Sequence, residues 1–309
     1  MISVSVTRME KVNIFDQIDK NKRNSVLLSF LVFIVLFALV YFISQVFLPD
    51  LTFFILIISF LLIIVDIYFS YNYGDKVILK SVNAKPADER NNRHLIDTVE
   101  GLAIAAGIPK PKIYVMDNEE INAFACGKDP KHASICVTTG ALDNLKRDEL
   151  EGVIGHEMSH IRNYDVRFAT IVAVLVGLAA IVSYTFLRTI RFGGFRSRDN
   201  DRGGGLIIIM LVIAVVLAIF APLLTRIVQA AVSRKRELLA DAGSAELTRY
   251  PDELASALEK IKKINTGKKM NVSEAMSHLF ISDPNRSPLD NLFATHPPLD
   301  ERIKLLKAM

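Results

Sequence analysis

The sequence predicts a mainly α-helical membrane protein, in which four hydrophobic helices anchor a mostly helical polar domain with a small β-sheet. Three observations support this prediction: long uncharged apolar runs, helical periodicity in the polar remainder, and short strand-like stretches. The chain has 309 residues, of which 51% are apolar, and its mean hydropathy is +0.31. This mean is high for a soluble protein, and the apolar residues are concentrated in blocks.

Four apolar runs are long enough to cross a bilayer. A bilayer core needs about 20 apolar residues per helix, and each run is close to that length. Only Pro49-Asp50 separates the first two runs, and the apolar pattern of the second continues to about Tyr71. The runs are residues 26–48, 51–65, 168–187 and 206–225.

These runs divide the chain into five parts. No small-residue cleavage site follows the polar N-terminal segment, so we expect the first helix to remain as an anchor. A second hydrophobic hairpin then splits the polar domain into two halves. The predicted parts are a cytoplasmic segment at 1–24, a transmembrane hairpin at 25–71, half of the polar domain at 72–165, a second hairpin at 166–225 and the other half at 226–309.

Lysine and arginine residues beside the apolar runs predict the orientation. They occur before the first run and after the second, but not in the turn between, so residues 74–165 are expected on the cytoplasmic side. The loop of the second hairpin holds five arginines between residues 188 and 202. Three arrangements stay open for this hairpin: full crossing, which places those arginines outside, a hairpin that only dips into the membrane, or one that packs on the protein.

Composition argues against a disulfide-stabilised protein and against a nucleic-acid-binding protein. Cys126 and Cys136 form neither a CxxC motif nor a disulfide framework, and they fit a reducing compartment. The net charge is +4, with no basic stripe interleaved with aromatics, so no nucleic-acid partner is expected. The lipid bilayer is the partner that composition predicts.

The polar domain shows the spacing of short helices and strands. Gly107-Ile108-Pro109 stops the first of these helices, and acidic residues at Asp148 and Glu149 begin another that runs to about Asn163. That first helix is predicted at 92–107, and further helices at 227–249, 251–265 and 299–307. Strands are predicted at 112–116, 122–127 and 134–138, and a long loop at 266–290.

One motif predicts a metal site. His156-Glu157-Met158-Ser159-His160 is an HExxH pentapeptide on a predicted helix. Positions i and i+4 lie one turn apart on the same helix face, so both imidazoles can reach one ion. Zinc binds neutral histidine nitrogen at ~2.0–2.1 Å. Glu157 is placed beside that ion to take a proton from a zinc-bound water.

A catalytic zinc needs a third protein ligand. The pattern HExxHxxGxxH is absent, because Asn163 and Val166 stand where it requires Gly and His. Glu237 is the best distant candidate, and Asp241 lies one turn later, where it can hydrogen-bond a ligand histidine. Such an ExxxD pair is usually a solvated helix face. Here, however, the HExxH motif needs a ligand, and both segments leave the membrane on one side.

Several motifs in the same order resemble the HtpX family of membrane zinc metalloproteases and, more distantly, the CAAX prenyl endopeptidases. The resemblance extends from about residue 20 to the end of the chain. One departure is Cys126, where relatives often carry Thr. The matching features are the N-terminal hydrophobic pair and residues 122–125, 148–160, 162–165, 233–241 and 295–298.

The resemblance implies a gluzincin-type protease with one Zn²⁺ per chain. It implies endoproteolysis of damaged or misassembled membrane proteins, or unfolded polypeptides, at the cytoplasmic face of the bacterial inner membrane, as part of a stress response.

The same resemblance assigns two further roles. His296 would stabilise the oxyanion, although a histidine that orders a turn is equally compatible. Asn122, Ala123, Phe124 and Ala125 resemble an edge strand that binds extended substrate, although an ordinary strand fits equally. We interpret the other isolated histidines as structural, namely His94, His132 and His278.

Two other functions remain open. A non-enzymatic membrane scaffold with a protease-like fold would need no metal, so metal-dependent cleavage distinguishes it from an enzyme. An intramembrane metalloprotease would place HExxH within the bilayer, where the surrounding charges would be costly. Those charges are Arg147, Asp148, Glu149, Glu151, Arg162 and Asp165.

Overall fold

A computed structural model describes residues 49–174, 234–265, 272, 274–282 and 297–309, with single helical residues between 19 and 45. Across these ranges the chain is mostly helical and contains a four-stranded sheet. This architecture confirms the predicted helical domain with a small sheet. The predicted membrane run 206–225, most of 26–48 and the part of 168–187 after residue 174 lie outside the described residues.

Helix α1 (Thr52–Ser81) follows a short 3-10 turn and matches the second apolar run. Its outward side chains are apolar, with Phe53 70% and Leu62 62% exposed, which indicates a lipid surrounding. It is the one helix in the described part of the chain that is long and apolar enough to cross a membrane. At 1.5 Å per residue α1 is ~45 Å long, so it extends beyond a bilayer core of ~30 Å.

The sheet contains the three predicted strands and one short strand that was not predicted. The strands are β1 (Lys85–Pro86), β2 (Lys112–Met116), β3 (Ala123–Gly127) and β4 (Ala133–Thr138). Their order is β1-β2-β4-β3, so β3 is an edge strand. Strand β4 pairs parallel with β2 and antiparallel with β3.

Helices surround this sheet. Gly107 ends the first polar helix in the left-handed conformation, with φ 67°, as the Gly-Ile-Pro signal predicts. Residues 165–174 are also helical. The remaining helices are α2 (Arg93–Ala106), α3 (Thr139–Asn144), α4 (Arg147–Arg162), α5 (Arg234–Thr248), α6 (Pro251–Ile264), α7 (Glu274–Ser277) and α8 (Leu299–Leu306).

Helix α4 carries the HExxH motif, and Glu149 fixes its first turn. This carboxylate accepts hydrogen bonds from the Lys146 backbone N–H at 2.7 Å, the Ser256 hydroxyl at 2.7 Å and Lys260 Nζ at 2.6 Å. Burial by itself raises the pKa of Glu149, but the hydrogen bonds and the charge of Lys260 lower it below its ordinary value. Glu149 therefore stays ionised at neutral pH and ties α4 to α6.

The sheet has a hydrophobic core on each face, because successive side chains of a strand point to opposite sides. Ala123 and Ala125 face the larger core, which α2, α4 and α6 share. Phe124 and Cys126 face the smaller core. The smaller core also contains Ile78, Leu79, Met116, Cys136, Ala173, Val174, Met276, Leu279 and Phe280.

The smaller core joins the membrane helix to the polar domain. Its contributors include the end of α1, which continues beyond Tyr71 and buries Ile78 and Leu79. Gly74 of α1 lies so close to residues 165–174 that a Cβ would meet the Thr170 methyl group at 2.8 Å. The polar domain is therefore packed directly on α1.

The prediction of a long loop over 266–290 was wrong in its centre. Residues 274–277 form α7, and Phe280 makes an antiparallel bridge with Phe124 of β3. Leu279, Phe280 and Ile281 are buried. An apolar run of this length is too short to show periodicity, so the sequence signal was lost among polar neighbours.

Close approach of α4 and α6 at Gly152 generates a stability prediction. A Cβ at this position would lie 2.8 Å from the Leu254 backbone nitrogen, whereas one at exposed Gly101 of α2 would meet nothing within 4 Å. We expect Gly152→Ala to destabilise the protein by about 1–3 kcal/mol through overpacking. Gly101→Ala should stabilise it by about 0.5–1 kcal/mol, since Gly weakens a helix interior. Thermal unfolding in detergent compares the two variants, and equal effects would contradict this packing.

Candidate metal centre

Helices α4 and α5 bring three predicted ligands together. The Nε2 atoms of His156 and His160 are 3.2 Å apart. Glu237, in the first turn of α5, places Oε2 3.7 Å from His156 Nε2 and Oε1 3.5 Å from His160 Nε2. Among the residues whose positions the structure gives, these three form the one group of His, Cys, Asp or Glu side chains close enough to share an ion.

The spacing of these atoms fits a tetrahedral metal ion. Bonds of ~2.0–2.1 Å at tetrahedral angles separate two ligand atoms by ~3.3 Å, close to the distances observed. The donor set of two imidazoles and one carboxylate is also one that zinc prefers in catalytic sites.

Asp241 orients His156 towards this point. His156 Nδ1 donates to Asp241 Oδ1 at 2.9 Å, which leaves the Nε2 lone pair directed at the cluster. Arg302 Nη2 is also 3.4 Å from His156 Nδ1, but both groups are then donors, so we assign no bond between them. Burial lowers the pKa of His156 to about 4, against the opposing hydrogen bond with Asp241. His156 is therefore neutral, as a metal ligand must be.

Asp165 has the corresponding role for His160. His160 Nδ1 donates to Asp165 Oδ2 at 3.0 Å. Burial by itself lowers the pKa of His160, but the hydrogen bond to Asp165 and the charges of Glu237, Asp165 and Glu157 raise it to about 9. Such a site attracts positive charge, and a divalent cation would displace the proton. From the sequence, Asp165 was recognised as part of a matching motif and as a charge beside HExxH, but its contact with His160 was not predicted.

Arg302 is a residue of the site that the sequence did not predict. This residue of α8 is fully buried, at 0% exposure, and its Nε and Nη2 bind the two carboxylate oxygens of Asp241 at 2.8 and 2.7 Å. Its Nη1 lies 4.0 Å from Glu237 Oε2. The available signal was positional: Arg302 shares the buried face of α8 with Ile303 and Leu306. A charge on a core-facing position needs a buried partner.

Glu157 is buried beside the cluster, at 1% exposure. The backbone N–H of Ala125 donates to its carboxylate. Its Oε1 has no hydrogen-bond partner in the part of the chain that is described. Burial raises the pKa of Glu157 to about 7, which nearby Glu237 reinforces and His160 and Arg302 oppose. A carboxyl group with a pKa near neutrality and an unused oxygen suits proton transfer.

His156, Glu157, His160 and Glu237 line one cleft. Residues 278–281 form one wall of it, opposite the HExxH helix. His278 Nε2 lies 3.2 Å from the Ala169 carbonyl oxygen, a contact that fits its structural interpretation. Nothing in the sequence indicated that this histidine borders the cleft.

The predicted substrate strand at residues 122–125 lies within the described structure, whereas the predicted oxyanion donor His296 does not. Strand β3 borders the cleft through Ala125, so the predicted edge strand lies at the site. Its outer edge, however, is paired with residues 280–282, as Ile281 N–H donates to the Ala123 carbonyl at 2.9 Å. His296 lies outside the described residues, so its predicted role stays a prediction.

Comparison with known proteins gives concordant matches over nearly the whole chain. The family model "Peptidase family M48" matches residues 89–309. A "Protease HtpX homolog" of Caldanaerobacter subterraneus subsp. tengcongensis is 45% identical over 301 residues, covering 97% of this chain and 99% of that protein. The homolog of the same name from Dictyoglomus thermophilum is 43% identical, covering 97% and 96% of the two chains. These matches confirm the family resemblance.

Solved structures were matched as well, among them one with low similarity to this chain. The crystal structure of S. mikatae Ste24p aligns with 94% of this chain and 67% of that chain. The TM-score is 0.48 and the sequence identity is 20%. Values this low support no conclusion about the site.

The buried Arg302–Asp241 pair generates a prediction about metal binding. Arg302→Met removes the partner that holds Asp241 against His156, so we expect zinc affinity to fall about 10- to 100-fold. Lys304→Met is the matched control, because Lys304 is an exposed residue of the same helix. Competition with a chelator measures the affinity. An unchanged affinity, with only a lower melting temperature of the metal-free protein, would show that Arg302 has no role in holding the ligand.

Proposed function

From the premise that the chain belongs to peptidase family M48 and is a membrane-associated metalloprotease, we propose that it is a zinc endopeptidase acting beside the membrane surface. His156, His160 and Glu237 would hold one Zn²⁺. Asp241, Asp165 and Arg302 would orient those ligands. The substrates proposed are membrane proteins that are damaged or misassembled and unfolded polypeptides, within a stress response.

One observation carries this proposal: two imidazoles and a distant carboxylate converge within 4.8 Å, with a buried glutamate beside them. The HExxH histidines and Glu237 are far apart in the chain. Local helix geometry therefore cannot bring them together. The second ring nitrogen of each ligand histidine also donates a hydrogen bond to a carboxylate, an arrangement common in metal sites. A scaffold without chemistry has no need of this arrangement.

Glu157 would be the general base and acid. When bound, zinc would polarise a peptide carbonyl and make water a better nucleophile at neutral pH. Glu157 Oε1 meets no donor among the described residues and can accept the proton of the attacking water, then deliver it to the leaving amine. The N–H of Ala125 holds the same carboxylate in place. His296 is proposed as the oxyanion donor on the strength of the motif alone.

The proposed location is the cytoplasmic face of the cell membrane, which is the inner membrane in bacteria that have two. Basic residues that flank the first hairpin support this orientation by the positive-inside bias. The end of α1 packs on the same small core as β3, so the metal centre lies close to the end of a membrane helix. A site in that position would meet polypeptide at the membrane surface and not within the hydrocarbon.

An intramembrane site is the less favoured alternative. The HExxH helix has charged residues at both of its ends, and Arg147 and Asp148 are exposed. At the other end, Arg162 pairs with Glu246 at 2.9 Å. Exposed charges of this kind would be costly in lipid, and the described α4 is packed among α2, α5 and α6.

Glu157→Gln is the decisive variant for the enzyme. It keeps the size of the side chain but removes the base, so cleavage of casein or a membrane-protein substrate should fall by about 10²–10⁴-fold while zinc content is unchanged. Glu151→Gln, on the same helix but partly exposed, should keep wild-type activity. Addition of a chelator should abolish cleavage, and zinc should restore it. Wild-type cleavage by Glu157→Gln would refute this mechanism, and absence of cleavage by the zinc-loaded wild-type protein would favour the scaffold.

A further inference from the structure

The outer edge of β3 is the part of the sheet that faces the cleft. Pairing with β4 engages alternate residues such as Phe124, which leaves the main chain of Ala123, Ala125 and Gly127 directed away from β4. The Gly127 N–H donates to Thr170 Oγ1 at 2.9 Å, and the Ala125 N–H donates to Glu157. The carbonyl of Ala123 is therefore an edge acceptor that an incoming strand can use.

Residues 278–282, here called the inner strap, take that position. Ile281 N–H donates to the Ala123 carbonyl at 2.9 Å. The Asn122 side chain then holds Ser282 on both sides: Oδ1 accepts from the Ser282 N–H at 3.3 Å, and Nδ2 donates to the Ser282 carbonyl at 2.8 Å. Arg302 Nη1 donates to the Ile281 carbonyl at 3.0 Å.

All four contacts are made with the main chain of the strap. Asn122 and Arg302 therefore hold Ile281 and Ser282 through groups that every peptide has. This is how proteins bind an extended polypeptide by strand addition, with hydrogen bonds that do not depend on the side chains of the ligand. A substrate strand of any sequence would offer the same donors and acceptors.

Apolar packing adds to these hydrogen bonds. The Phe280 ring lies 4.8 Å from the Phe124 ring, centroid to centroid, and Leu279 is buried in the same small core. Ile281 enters the larger core on the other face. Residues 278–281 of the strap also line the cleft that contains the metal ligands. It therefore occupies the strand position beside the site and not a remote surface.

We propose that the inner strap is an autoinhibitory strand, which occupies the main-chain groups that an extended substrate needs. This inference rests on the proposed function. A substrate strand would replace Ile281 and Ser282 on Ala123, Asn122 and Arg302, and the strap must leave before cleavage. Because the strap is tethered, its effective concentration is on the order of millimolar. Substrates present at lower concentration compete poorly until something displaces it.

One hydrogen bond of the strap can be removed without touching the metal site. Ser282→Pro deletes the N–H that donates to Asn122, whereas Ser282→Ala keeps it and serves as the matched control. Loss of one such bond should raise kcat/KM for casein about 2- to 12-fold in Ser282→Pro and leave Ser282→Ala at the wild-type value. Both variants should keep wild-type zinc content, and adding Glu157→Gln should abolish the activity of each. A zinc-loaded Ser282→Pro protein that is no more active than Ser282→Ala overturns the proposal.

A second measurement does not depend on catalysis. Hydrogen exchange is followed in zinc-loaded Glu157→Gln protein, with and without a blocked synthetic peptide of the sequence Ser277–Ser282. The peptide should displace the strap and speed amide exchange at Ile281 and Ser282. The same peptide N-methylated at the isoleucine lacks the N–H that Ala123 accepts and should have a smaller effect. Unchanged exchange at millimolar peptide contradicts the autoinhibitory role of the strap. Absence of cleavage by the zinc-loaded wild-type protein counts only against the proposed enzyme.

Discussion

The buried Asp241–Arg302 ion pair is the interaction on which the site depends. Asp241 holds His156, Arg302 holds both oxygens of Asp241, and the same guanidinium reaches the inner strap through Ile281. The pair joins α4, α5 and α8, which come from distant parts of the chain. Removing either partner would leave an uncompensated charge in a nearly dry interior, and that is costly. The last helix is therefore as much a part of the site as the HExxH helix.

The edge strand β3 links the remaining parts of the molecule. On one face Ala123 and Ala125 pack against the helices of the polar domain, and on the other Phe124 packs under the end of α1. Along its outer edge the main chain of β3 binds Glu157 and Thr170 as well as the strap. One short strand thus connects Glu157, helix α1 and the strand position next to the candidate metal centre.

Membrane anchoring and chemistry are coupled by packing in this architecture. Helix α1 does not end at the limit of its apolar run but continues to Ser81 and buries Ile78 and Leu79 in the domain. Residues 165–174, which directly follow the HExxH helix, pack against α1 at Gly74. The ligand-orienting Asp165 begins that segment. The segment that begins with Asp165 therefore contacts both His160 of the candidate metal centre and the long apolar helix α1.

The sequence by itself determined the periodic and local features: the long apolar helix α1, three of the four strands, the HExxH face with His156 and His160, and the spacing of Glu237 and Asp241 one turn apart. These follow from spacing along a regular helix or strand, which a linear pattern records. Only the tertiary structure decided the partners across long separations. Arg302 appeared as one charge of a terminal helix, Asp165 as part of a motif, and residues 278–282 as loop. Their roles come from burial beside groups that are distant in sequence, and no local periodicity encodes which buried charge or which strand edge another segment will meet.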